Sequence, residues 1–145
     1  MAVSAKLYGP ALAIVWSAGI NWGSDTIKVA LLTSSYTPDQ DAHNYFDDVS
    51  AYEVTGTGYT AGGATLASKT NAYTSGTNTM ALDAADSTWT SSTITARYAA
   101  LYKDTGTAST SPLIGYVDFG ADQSSSAGPF TITWDAAGIA TFTVA

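Results

Sequence analysis

The sequence contains no cysteine and few charged residues, and its charge is mainly acidic. The absence of cysteine excludes disulfide bonds, thiolate metal sites and a cysteine nucleophile. Five residues are basic and twelve are acidic, which gives a formal net charge of −7 at pH 7. Five scattered cations cannot form the basic surface that a phosphate backbone requires. The composition therefore argues against nucleic-acid binding.

Long apolar runs are also missing. The longest apolar stretch, Ala11 to Trp16, is far shorter than the roughly 20 residues that a helix needs to cross a bilayer. We therefore expect no membrane anchor. Because the sequence begins at Met1, we also expect that no secretory signal has been removed from it.

Apolar side chains are nevertheless plentiful, at 46% of the 145 residues. A chain of this length buries roughly two thirds of the surface that its unfolded form exposes. We expect residues 1–145 to form one domain. From Ile20 onwards, short β-branched and aromatic runs alternate with Gly, Ser, Asn and Asp clusters. This spacing predicts a mainly β protein, a single antiparallel β-sandwich of jelly-roll or immunoglobulin-like type.

Individual strands follow from the alternation of apolar and polar residues. Apolar side chains on both faces of Ala96 to Asp104 predict a central strand. Two alternating runs, Phe130 to Asp135 and Ile139 to Val144, flank a turn that contains Gly138, and we predict that they form a terminal hairpin. Other predicted strands are 25–32, 52–55, 64–70, 79–83 and 113–119.

The N-terminal segment, residues 1–24, does not follow the strand pattern. Helical spacing and a proline suited to a first turn predict a short helix that begins near Pro10 and ends at Gly19. The aromatic residues of this segment dock either on the chain's own sandwich or on a neighbouring subunit. Tyr8, Trp16 and Trp22 are therefore the candidate interface residues.

Catalytic patterns are weak. Any Ser-His-Asp arrangement must include the one histidine, His43, which lies in a hydrophilic loop where a solvated or locally hydrogen-bonded role is expected. No Gly-x-Ser-x-Gly motif is present, and nothing pairs Glu53, the only glutamate, with a second carboxyl group across a cleft. We assign no catalytic residues and no cofactor, and we expect the protein not to be an enzyme.

Four aspartates between Asp39 and Asp48 invite comparison with a calcium site. Counted from Asp39, the EF-hand glycine and the bidentate acid are replaced by Asn44 and Ser50, so that pattern fails. We assign no metal ligands and favour turn-forming aspartates that face water, with an irregular Ca²⁺ site as the alternative. The glycine-rich residues 55–63 fit neither Walker nor Rossmann spacing and indicate turns.

Seven segments, spread over nearly the whole chain, carry a resemblance to a known family. Together they resemble small virion structural proteins of tailed bacteriophages, which are similar to capsid decoration, or cement, proteins. The segments are DTIKVALL (25–32), YTPD (36–39), EVTGTGYTAGGA (53–64), WT (89–90), STITAR (92–97), YKDTGT (102–107) and SPLIGYVDFG (111–120).

The resemblance implies a non-enzymatic protein that is made in the host cytoplasm and carried on the capsid surface of the virion. Its implied partners are the major capsid protein and further copies of itself, with a homotrimer expected and a dimer as the alternative. A tail or fibre component, or a carbohydrate-binding adhesion module of the virion, is the alternative function. A small hydrolase of unfamiliar type is the third possibility.

Overall fold

The computed structural model describes residues 3–17 and 19–144, although the side chain of Trp16 is not described. Within these residues the chain forms ten strands, two α-helices and one 3-10 helix. The elements are β1 (Ser4–Leu7), α1 (Gly9–Trp16), β2 (Ile27–Leu32), α2 (Asp47–Ser50), β3 (Ala64–Thr65), β4 (Thr70–Thr74), β5 (Thr79–Asp83), β6 (Ser87–Ser92), β7 (Thr95–Lys103), the 3-10 helix (Ala108–Thr110), β8 (Leu113–Ser124), β9 (Gly128–Ile132) and β10 (Ala140–Thr143).

The strands pair in antiparallel fashion into three sheets. The largest has five strands in the order β1-β8-β7-β2-β3, and the two smaller ones have the orders β10-β5-β4 and β6-β9. The predicted mainly β, antiparallel class is confirmed. Strand β7 lies in the middle of the five-stranded sheet, so the prediction of a central strand over Ala96 to Asp104 is also confirmed.

Both faces of the five-stranded sheet are covered. Along β2, Val29 and Leu31 point into a first core cluster, whereas Ala30 and Leu32 point into a second one. Because successive side chains of a strand point to opposite faces, the two clusters lie on opposite sides of the sheet. The two smaller sheets contribute to the first cluster, and α1 with residues 36–49 contributes to the second. The packing of sheets through the first cluster is compatible with a β-sandwich.

The remaining element predictions differ in detail. Helix α1 begins at Gly9, close to the predicted start, but ends at Trp16. The predicted strand over 64–70 is divided into β3 and the start of β4, because Ser68 adopts a positive φ of 52°. Over 52–55 there is only an isolated bridge between Glu53 and Leu32. Strands β1 and β6 have no counterpart among the predictions.

The predicted terminal hairpin is wrong. Strand β9 ends at Ile132 and pairs with β6, whereas β10 begins at Ala140 and pairs with β5. The segment between them is held elsewhere, since the backbone N–H of Trp134 donates to a carboxylate oxygen of Asp86. Alternation correctly identifies two strands here, but each strand finds its partner in an earlier part of the chain.

Gly63 lets the glycine-rich segment approach β2 closely. Its φ is +76°, and a β-carbon placed on it would lie 2.0 Å from the carbonyl oxygen of Val29. A side chain at this position therefore faces both backbone strain and a collision with the backbone of a core strand. Gly106 has a similar φ of +87° but open space around it. Substitutions at the two glycines can therefore be compared: the one at Gly106 tests backbone strain alone, and the one at Gly63 tests strain together with the collision.

We expect Gly63→Ala to lower the free energy of unfolding by about 3 kcal/mol or more, because β3 must move away from β2. The control, Gly106→Ala, introduces only the strain of the left-handed conformation, so its free energy of unfolding should fall by about 1 kcal/mol. Urea denaturation followed by circular dichroism measures both. Equal losses for the two variants would contradict the assignment of a packing role to Gly63.

Candidate functional site

Helix α1 has no polar side chain, although it lies at the surface. Ala11 packs into the second core cluster, whereas Leu12 and Val15 are 47% and 44% exposed. A surface helix normally carries polar residues on the side that faces water. We call the exposed side chains of Leu12 and Val15 the α1 surface. This surface is apolar and exposed.

Tyr8, directly before α1, anchors this helix to the sheet. Its backbone is extended, and Pro10 follows in the first turn, where its missing N–H and fixed φ favour a helix start. The ring of Tyr8 is fully buried, with its centre 5.4 Å from that of Tyr116 on β8. Its hydroxyl shares a 2.7 Å hydrogen bond with the hydroxyl of Tyr36. The position of α1 is therefore fixed by the chain itself.

The hydrogen-bonded chain continues from Tyr36 to His43. The Tyr36 hydroxyl lies 2.9 Å from His43 Nδ1, which also accepts the N–H of Asp39 at 3.3 Å. With Nδ1 as the acceptor of both bonds, Tyr36 donates to His43 and Tyr8 donates to Tyr36. His43 thus has the local hydrogen-bonding role that the sequence predicts. These three side chains, Tyr8, Tyr36 and His43, are called the tyrosine brace below.

Burial raises the pKa of both tyrosines in the brace. The pKa of Tyr36 rises to about 12, and that of Tyr8 rises further above its usual range. For both groups, the main cause is the loss of solvent around a phenolate, which burial penalises. Both hydroxyls are therefore neutral near pH 7. They serve as hydrogen-bond donors that hold the loop and helix in place.

An acidic loop lies beside α1. The N–H of Gly9 donates to the carbonyl of Gln40 at 2.9 Å, so the loop touches the first turn of the helix. Asp39, Asp41 and Asp47 are exposed. The Asp39 carboxylate accepts the N–H groups of Asp41 and Ala42, which lower its pKa. Asp39 forms a turn, and all three carboxylates face water, as the sequence predicts. Asp41 lies beside Gly9, so it places negative charge next to the first turn of α1.

Asp48 also forms a turn, since its carboxylate accepts the N–H groups of Asn44 and Tyr45. Over residues 3–17 and 19–144, no group of three His, Asp or Glu side chains is placed to hold a metal ion. None of the helices in these same residues is both long enough and apolar enough to cross a membrane.

Glu53 has a structural role that the sequence analysis does not predict. Its carboxylate accepts the hydroxyl of Tyr59 and, at 2.8 Å, the N–H of Gly62. The Tyr59 hydroxyl in turn accepts the N–H of Leu31 on β2. Burial and the neighbouring carboxylate raise the pKa of Tyr59 far above its usual range. The only glutamate of the chain thus fastens the glycine-rich segment to the central sheet.

Tyr8 and Trp22, two of the three candidate interface residues, are buried within the chain. Trp22 packs into the first core cluster, and its Nε1 donates to the carbonyl of Asp83 at 3.3 Å. Of the two arrangements considered for the N-terminal aromatics, docking on the chain's own sheets holds for both. The side chain of Trp16 lies outside the described residues. Leu12 and Val15 are not among the interface residues predicted from the sequence, although an eight-residue helix without polar residues is a detectable signal.

Comparison with known proteins gives no match. No protein-family model matches the chain, no curated protein matches it, and no solved structure matches it. The resemblance to phage virion proteins therefore stays a prediction.

The raised pKa values of Tyr8 and Tyr36 predict that the fold loses stability at alkaline pH. Unfolding brings the pKa of Tyr36 from about 12 back to about 10. A phenol whose pKa is raised by folding stabilises the fold fully below pH 10, and this contribution is lost as the pH rises through about 12. Tyr8, Tyr59 and Tyr102 act in the same direction, since burial raises their pKa values too.

We expect the buried tyrosines to stay protonated at pH 10 and to ionise together with unfolding at higher pH. Absorbance near 295 nm, compared with circular dichroism on the same samples, measures both events. Tyr36→Phe should remove one tyrosine from the group that ionises together with unfolding. Tyr73→Phe, at an exposed position, should instead remove one from the group that ionises near pH 10. Ionisation of all the tyrosines in one step near pH 10, with the fold intact, would contradict this assignment.

Proposed function

We propose that the protein is a non-enzymatic structural protein of a bacteriophage virion, most specifically a decoration protein that binds the lattice of the major capsid protein. The observation that carries this proposal is the α1 surface. Leu12 and Val15 form an apolar surface on a helix that is fixed by a buried tyrosine, beside a loop of exposed aspartates. This arrangement supports binding to protein, since no described residue of the helix provides a reacting group.

The chemistry of the surface defines what its partner must offer. Protein interfaces combine a buried apolar centre with a polar or charged border. Here the centre is Leu12 and Val15, and the border carries the carboxylates of Asp39 and Asp41. The complementary site on a capsid subunit is an apolar groove with lysine or arginine side chains beside it. Such a contact should weaken as salt screens the charges.

Rigidity supports the same role. A protein that binds at many equivalent lattice positions loses affinity for every loop and side chain that it must order on binding. The tyrosine brace already orders the loop, and the second core cluster already orders α1. The five-stranded sheet, packed against the smaller sheets, supports a sandwich framework of jelly-roll or immunoglobulin-like type.

In this proposal the chain is made in the host cytoplasm and is carried on the capsid surface. Copies of the chain also contact one another, as a trimer or as a dimer. A tail or fibre location, or a carbohydrate-binding module, is the competing function, and imaging of the particle separates it from decoration.

The test is binding to empty, expanded heads assembled without this protein. Purified protein should sediment with the heads and add regular density to their surface in electron micrographs. Val15→Asp should weaken binding by about tenfold or more, because it places a charge in the apolar centre of the contact. Thr131→Asp, an exposed position on β9 across the sheet from α1, makes the matched charge change and should bind like the wild type.

Circular dichroism first establishes that both variants are folded. Failure of the folded wild-type protein to bind the heads, or density confined to the tail of assembled particles, would overturn the decoration proposal. Equal weakening by Val15→Asp and Thr131→Asp would show that charge alone matters and that the α1 surface is not the contact.

A further inference from the structure

The three-stranded sheet places three large apolar side chains in one row. Met80 on β5 is directly opposite Tyr73 on β4 and directly opposite Phe142 on β10. Directly opposite residues of neighbouring strands project from the same face of a sheet. Tyr73, Met80 and Phe142 therefore stand side by side across all three strands.

This row belongs to the face that the sheet turns toward the core. Leu82 lies two residues beyond Met80 on β5, hence on the same face, and it packs against the first core cluster. The apolar face then continues past the part of the sheet that the core covers. Tyr73 and Phe142 are 56% and 36% exposed. Val144, which continues the alternation after Phe142, is 62% exposed. These four side chains, Tyr73, Met80, Phe142 and Val144, are called the overhang row.

The strand segments that carry the overhang row contain no charged residue, and Asp83, at the end of β5, lies three positions beyond Met80. Residues 70–82 and 136–144 contain no Asp, Glu, Lys or Arg, in a chain whose net charge is −7. Two copies of such a chain repel each other wherever their acidic surfaces approach. A neutral apolar row is complementary to itself and offers no charge to a basic or acidic partner. It is the kind of surface on which two like-charged copies can meet.

Strand β4 also lacks the features that keep copies of a protein apart. It forms an edge of the three-stranded sheet, and all five of its residues are exposed. Natural edge strands are commonly protected by lysine, proline or a bulge. The segment Thr70–Thr74 contains neither lysine nor proline, and its pairing with β5 is regular. Nothing in the described edge opposes the approach of a second chain.

We propose that the overhang row packs against the overhang row of a second copy, so that the chain forms a two-fold symmetric dimer. In a two-fold contact the same patch serves both subunits, which a neutral, self-complementary row satisfies. Contacts of about four side chains per copy fall at the small end of protein interfaces, so the association is weak and depends on concentration. The proposal does not require a capsid, and it favours the dimer over the trimer.

Sedimentation velocity over a range of protein concentrations tests the dimer directly. The wild type should shift from monomer to dimer as the concentration rises, with a dissociation constant on the order of 10–100 μM. Added salt should strengthen the dimer, because it screens the repulsion between two negatively charged chains. Tyr73→Asp and Phe142→Asp should each weaken the dimer by about tenfold or more, since each places two like charges across the two-fold axis.

Val15→Asp is the matched control, because it makes the same charge change at an exposed apolar residue of α1, which packs on the opposite side of the central sheet from the row. It should dimerise like the wild type. A wild type that stays monomeric up to about 1 mM, a trimer, or Asp variants that dimerise normally would each overturn the proposal. Loss of the dimer by Val15→Asp would also overturn it, because the contact would then lie on α1.

Failure of this proposal can be told apart from failure of the decoration proposal. Tyr73→Asp should still bind empty heads through the α1 surface, whereas Val15→Asp should still dimerise. Salt acts in opposite directions on the two contacts, weakening the head contact and strengthening the dimer. Each measurement therefore reports on one surface only.

Discussion

The burial of both faces of the five-stranded sheet is the constraint on which the rest of the structure depends. Val29 and Leu31 of β2 hold the two smaller sheets through the first core cluster, while Ala30 and Leu32 hold the helical layer through the second. One strand thus supports two layers with alternate side chains. Because both surfaces proposed to bind proteins belong to these layers, their relative positions follow from how the layers pack on opposite faces of the five-stranded sheet.

Buried polar groups decide how the outer segments lie on this sheet. Tyr8, Tyr36 and His43 fix α1 and its loop, and Glu53 with Tyr59 fixes the glycine-rich segment. In each case a hydroxyl leaves water and receives a hydrogen-bond partner, which avoids the cost of an unpaired buried group. Hydrophobic burial alone allows many docking positions for a loop, whereas these directional bonds select one. The burial that makes these bonds necessary is also the main cause of the raised pKa values of Tyr8, Tyr36 and Tyr59.

The sequence correctly predicts features that depend on a local residue pattern. Its predictions fail where the outcome depends on which distant segment a strand or side chain contacts. Alternation is sufficient to identify β5 and the central strand β7, and Pro10 is sufficient to place the start of α1. The terminal hairpin fails because alternation defines the face of a strand but not its neighbour, and β9 and β10 pair with β6 and β5. Tyr8 and Trp22 attract attention as aromatics in an irregular segment, but their burial depends on tertiary contacts that no local pattern reveals.

The two proposed contacts lie on opposite sides of the central sheet, and this separation matters for assembly. Helix α1 packs through the second core cluster, whereas the overhang row extends the face that Leu82 packs against the first. A lattice subunit bound at α1 therefore need not displace a second copy bound at the row. Two weak contacts on one rigid body act together, because the first binding event raises the effective concentration for the second. A dimer that reaches two lattice sites gains affinity in this way without any stronger individual contact, provided that the spacing of the sites matches the dimer.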